Sequence, residues 1–211
     1  KKFISSCEVC QQTQNFSNSS TLLSWPTAPN VFYRVNIDFF HKYNHTFLMV
    51  SDSKSKWIEV KLMDHGSTAS ETILKLKEVF AVYGLPVELV SDNGPPFNSS
   101  EFSAFCQANG IKPVKSPPYH PQSNGSAERS IQTVKKGLER ALFTEKGRDI
   151  GKNVLLTRLI NFLFTYRNTP STVTGKSPAE NILKMRPRTR FDLIKPYSKE
   201  ITMGHKGDAK E

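Results

Sequence analysis

Three β-favouring runs follow one another with only turn residues between them. This succession constrains the fold more than any other feature of the chain. The runs are "FYRVNIDFF" (32–40), "TFLMVSDS" (46–53) and "WIEVKLM" (57–63), separated by "KYNH" and "SKSK". Their β-branched and aromatic content predicts an antiparallel three-stranded meander. The period then changes to that of a helix over 66–84, where Ile73, Leu76, Phe80 and Tyr83 recur at helical spacing. Thr68 and Glu71 stand at capping-box spacing, and Gly84 before Leu85-Pro86 ends the run. "VELVSD" (87–92) predicts a fourth strand, and residues 98–110 a second helix with Asn98 and Glu101 at capping-box spacing. "IKPVKS" (111–116) predicts a fifth strand, and Pro113 suits it to a sheet edge. Helices follow at 126–143, 153–168 and 177–184, the last with Ser177 as cap, Pro178 at N1 and Glu180 at N3. The order βββαβαβααα describes an α/β fold, a mixed five-stranded sheet flanked by helices. In it an antiparallel meander is extended by two further strands.

The 211 residues suffice for one substantial core. The longest apolar stretch, "LINFLFTY" (159–166), is far shorter than the roughly 20 residues a membrane helix needs, so no membrane partner is expected. Lys and Arg number 29 against 19 acids, a net charge of +10, which favours an anionic partner and nucleic acid first. Residues 184–199, "KMRPRTRFDLIKPYSK", hold six Lys/Arg and one acid, and a solvated tail explains them equally well. Three cysteines make no disulfide scaffold. Cys7 and Cys10 have half the spacing of a zinc site, and Cys106 lies on an apolar helical face. His41 and His45 could complete a Cys2His2 set only by abandoning the hairpin they bracket.

Three carboxylates stand out by position. Asp38 lies within an apolar strand, where a charge is costly unless bonded, paired or metal-bound. Asp92 ends a strand beside an Asn-Gly turn, and ligand sites in open α/β sheets lie beyond the carboxyl ends of strands. Glu128 begins a helix, where it also complements the macrodipole. Taken singly, each has a structural explanation.

Their flanking words change this. "IDFFH", "VSDNGPPF" and "PYHPQSNGSAERSIQTVKK", in that order, resemble the core of retroviral and gypsy-type retrotransposon integrases, the D,D(35)E polynucleotidyl transferases. Thirty-five residues separate Asp92 from Glu128. "SDSKSKWIEV", "YRNTPSTVTGKSPAE" and the Cys7-x-x-Cys10 pair are similar to the same family, so the resemblance runs from residue 7 to about 195.

The resemblance implies an RNase H-like fold in which Asp38, Asp92 and Glu128 hold two Mg²⁺ or Mn²⁺ ions. It implies 3′-end processing of element DNA, then strand transfer into target DNA, in a homo-oligomer assembled on DNA in the nucleus. Tyr119, Gln122 and Asn124 would lie in a mobile catalytic loop hinged at Gly125, with Asn93 and Gly94 shaping the turn at Asp92. Gln132, Lys135 and Lys136 would carry DNA phosphates on from Glu128, and His41 would stand near the site. Cys7 and Cys10 would be a partial Zn²⁺ site. Residues 1–24 then read as a zinc-domain remnant with linker, 25–192 as the catalytic core and 193–211 as a basic tail. Pro96 departs from the family pattern and would remove a backbone N–H from a turn facing target DNA. "FFHKY" replaces the usual Gly-Pro after the first Asp. A domesticated DNA-binding protein whose chemistry is no longer used, or another nuclease on the same fold, are the alternatives.

Overall fold

The predicted meander forms, with tight links that fix its register. The computed structural model describes residues 26–115, 125–141, 151–171 and 175–194. Strand β1 (Arg34–Lys42) turns into β2 (His45–Asp52) through Tyr43 and Asn44, both at positive φ (50° and 58°). Two left-handed residues make the turn whose twist suits a two-residue hairpin. β3 (Ile58–Met63) pairs antiparallel with β2, after a turn in which the buried Asp52 carboxylate accepts the N–H groups of Phe32 and Ser55. Helix α1 (Ala69–Tyr83) then carries the chain to β4 (Glu88–Ser91), parallel to β1. Helix α2 (Ser100–Ala108) carries it to β5 (Lys112–Lys115), parallel to β4. The sheet order is β3-β2-β1-β4-β5, so Pro113 is indeed on an edge strand.

Alternation along the strands divides the core in two. Val35, Ile37, Leu48, Val50 and Leu89 face α1 and α2, where Leu76, Phe80, Phe102 and Phe105 meet them. Phe40, Phe47, Met49, Ile58 and Val60 face the other way. They meet Val134 and Leu138 of α3 (Gly125–Ala141) and Leu155, Leu159 and Leu163 of α4 (Lys152–Asn168). Helices α3 and α4 cross closely at Gly137, where a Cβ would stand 2.0 Å from the Phe162 ring. The short α5 (Pro178–Leu183) has the full capping box expected of Ser177 and Glu180.

Two caps differ from expectation. The helix after β4 is capped by Ser99, whose Oγ accepts the Phe102 N–H, and not by Asn98. Pro95 and Pro96 initiate a 3₁₀ turn, Pro95–Asn98, which consumes Asn98 before the helix can start. Thr68 caps α1 as predicted, but the buried Glu71 carboxylate accepts the N–H groups of Asp64 and His65 rather than that of Thr68. The box is therefore half formed, and Glu71 ties the β3–α1 link instead.

Candidate active site

Asp38 sits on β1, half-buried, opposite Met49 of β2, with Oδ1 accepting the Phe39 N–H at 2.7 Å. Asp92 immediately follows β4 and is exposed, and its Oδ1 accepts the Gly94 N–H at 2.8 Å. A Cβ on Gly94 would lie 2.9 Å from that oxygen, so a side chain there would push the Asp92 carboxylate aside. The Asn93 carbonyl is held by Asn98 Nδ2 at 2.6 Å. Asn93 and Gly94 thus shape the Asp92 turn as expected. Pro96 does not face outward: it is buried beside Phe97, whose ring stacks on Phe39 at 5.0 Å. The Pro pair trades an N–H donor for a turn pinned into the core.

The β1–β4 register brings the two carboxylates together. Arg34, Val35 and Asn36 lie level with Glu88, Leu89 and Val90. Continued two residues past the last pair, that register sets Asp38 level with Asp92, the first residue after β4. Adjacent strands are about 4.8 Å apart and residues two apart share a strand face, so Asp38 leaves the sheet on the α3 side, with Asp92 at the end of the neighbouring strand. Helix α3 packs there: Lys135 Nζ lies 5.8 Å from the Phe40 ring centre, and Lys42 pairs with Glu139 at 2.5 Å. Those contacts run the helix in the same sense as β1, so residues before Lys135 lie toward the Asp38 end. Glu128 occupies that end, in the first turn of α3; its side chain lies outside the described residues.

The other predicted residues divide. Gln132 and Lys136 are exposed on α3, and Arg140, one turn past Lys136, extends the same stripe. Sequence reasoning missed Arg140, although the i, i+4 spacing from Lys136 was there to find it. Lys135 departs from the expected phosphate track, because it is half-buried over Phe40. Gly125 is the first residue of α3. His41 is exposed, bonded to Thr46 Oγ1 at 2.9 Å, and by alternation points to the opposite face from Asp38. Tyr119, Gln122, Asn124, Cys7 and Cys10 lie outside the described residues. Cys106 is buried, and burial pushes its thiol up from the ordinary range.

The words "SKWIEV" and "YRNTP" touch each other in the fold. Arg167 of "YRNTP" wraps the edge strand, donating to the Ile58 carbonyl at 2.7 Å and pairing with Glu59 at 2.9 Å. Its guanidinium lies 4.3 Å from the Trp57 ring centre. Tyr83 donates its hydroxyl to Glu59 at 2.6 Å, and burial with that carboxylate pushes the phenol up. This cluster fastens α1 and α4 to the β3 edge and takes no part in the carboxylate site.

Among the described residues no group of three or more metal-ligating side chains gathers. The described donors are carboxylate oxygens, each oriented by a nearby N–H, and hard oxygens suit Mg²⁺ or Mn²⁺ over softer metals.

Residues 50–143 match the model of the TnsB C-terminal domain. An uncharacterized protein of Caenorhabditis elegans is 35% identical over 197 residues, 92% of this chain and 15% of that protein. The Gag-Pro-Pol polyprotein of Mason-Pfizer monkey virus is 26% identical over 172 residues, 79% of this chain and 9% of the polyprotein. The HTLV-2 integrase catalytic core domain, solved in complex with magnesium, superposes with a TM-score of 0.59 at 20% identity. That match covers 74% of this chain and 99% of the HTLV-2 domain. The chain belongs to the retroviral-type integrase family. Its sheet and flanking helices are the RNase H-like fold of integrase cores. This integrase-family chain spans 15% or less of the two relatives' own lengths.

Proposed function

We propose that the chain is an integrase catalytic core that trims the 3′ ends of an element's DNA and joins them to target DNA by in-line transesterification. What supports this reading is the β1–β4 register, which, continued two residues past its last pair, sets Asp38 level with Asp92 on the side of the sheet where α3 begins with Glu128 in its first turn. Asp38, Asp92 and Glu128 would hold the divalent ions, Mg²⁺ or Mn²⁺, and two such ions supply an activated attacking oxygen and a stabilised leaving oxygen. Asp38 and Asp92 each enter that role with one oxygen fixed by a backbone N–H. Gln132, Lys136 and Arg140 form an exposed stripe for DNA phosphates, in keeping with the net charge of +10. Tyr119, Gln122 and Asn124 contact DNA ahead of the helix. Assembly on paired DNA ends in the nucleus completes the reading.

A strand-transfer assay with Mn²⁺ and oligonucleotides carrying the element's ends tests it. Glu128→Gln should abolish joining while DNA binding persists. Joining by Glu128→Gln at the wild-type rate would overturn the mechanism.

A further inference from the structure

Four residues before Asp38 stands Arg34, and four residues before Asp92 stands Glu88. Arg34 and Asp38 share one face of β1, because residues i, i+2 and i+4 alternate together, and Asp92 is the first residue past the strand that Glu88 opens. Arg34 and Glu88 are register partners, joined Nε to Oε2 at 2.6 Å, with side chains only 11% and 15% exposed. A second nitrogen of Arg34 donates to the Pro26 carbonyl at 2.8 Å, which steadies the guanidinium from behind. We propose that this ion pair is a register lock, and that Arg34 and Glu88 are positioning residues for the paired aspartates. The proposal rests on the two-carboxylate reading of the site.

The need for such a lock follows from the shortness of the join. β4 has four residues and shares three register pairs with β1, whereas β1 and β2 share eight. Few ladder hydrogen bonds therefore set the one alignment on which the site depends. A slip of one residue turns every β4 side chain to the opposite face. Asp92 would then leave the face of Asp38, and Glu88 would be driven among Leu76, Phe80 and Phe105 without its partner. A slip of two residues keeps the face but separates Arg34 from Glu88 along the strand by about 7 Å. The short salt bridge is satisfied only in the register that makes Asp38 and Asp92 level.

Mn²⁺ titration of the full chain, followed by electron paramagnetic resonance well below the unfolding temperature, reads the consequence directly. Wild type should bind Mn²⁺ and Asp38→Asn should lose it. Equal binding by those two would overturn the two-carboxylate reading, and the lock with it. Arg34→Met and Glu88→Gln, each checked as folded by circular dichroism, should bind Mn²⁺ at least ~10-fold more weakly, the scale on which groups behind metal ligands act. The charge-swapped double variant Arg34→Glu/Glu88→Arg should recover most of that loss. Folded single variants with wild-type affinity would overturn the lock while leaving the carboxylate site standing. If the single variants do not fold, the swap decides: a folded swap with wild-type affinity supports the lock, and one that binds weakly overturns it.

Discussion

The two faces of the sheet are built on different terms. Toward α1 and α2 the layer is closed: Phe97, Phe102, Phe105 and Phe80 form a chain of ring contacts with centroids 5.6 to 6.3 Å apart. Thr72, Leu76 and Cys106 beside it are fully buried. Toward α3 and α4 the apolar cluster lies over β2, β3 and the last part of β1. Where β1 and β4 lie side by side, this face carries Arg34, Asn36, Asp38 and Glu88 around the buried Val90, with Asp92 just past the strand. The contacts that dock α3 next to it include a cation over a ring and a lysine–glutamate pair. A sealed face stabilises; an interrupted one leaves room for charge and for a substrate. Substitutions on the two faces should therefore separate stability from activity.

The largest separation is expected at the carboxylates. Asp92→Asn should lose strand transfer by more than the roughly 10–100-fold that even groups behind metal ligands cost. Its unfolding midpoint should stay near wild type, because the side chain is exposed. Joint loss of stability and activity would blur the contrast between the faces. On the sealed face Phe102→Ala should cost about 3–5 kcal/mol of stability, read by denaturant unfolding. Gly137→Ala forces a methyl against the Phe162 ring and should cost about 1–3 kcal/mol, less if α4 can shift. The smallest effect belongs to the exposed stripe. Lys136→Ala should leave unfolding unchanged and lower the salt slope of duplex DNA binding by about 0.9. Lys135→Ala, whose side chain turns in toward Phe40, should change that slope less.

Much of this was legible in order and spacing. The meander, the edge position of Pro113 and the Ser177–Glu180 box all follow from local rules that tertiary structure had no reason to override. The Ser99 cap did not follow, because "NSS" offers three capping residues in succession and the 3₁₀ turn begun by Pro95 and Pro96 decides among them. The inward lean of Lys135 was likewise hidden, since helical spacing gives an angle around α3 but not the partner it meets. Most of all, nothing local says that β4 joins β1 rather than β3. That long-range choice puts Asp92 beside Asp38 across 53 intervening residues. The words around the aspartates pointed to the proposed chemistry; the parallel register explains how residues so far apart in sequence come to the ends of neighbouring strands.

The most direct measurement is an anomalous-scattering map of the protein crystallised with Mn²⁺. The account predicts manganese bonded to the carboxylates of both Asp38 and Asp92, with Glu128 turned toward the same centre. Manganese bound elsewhere, with Asp38 and Asp92 making no contact to it, would contradict it.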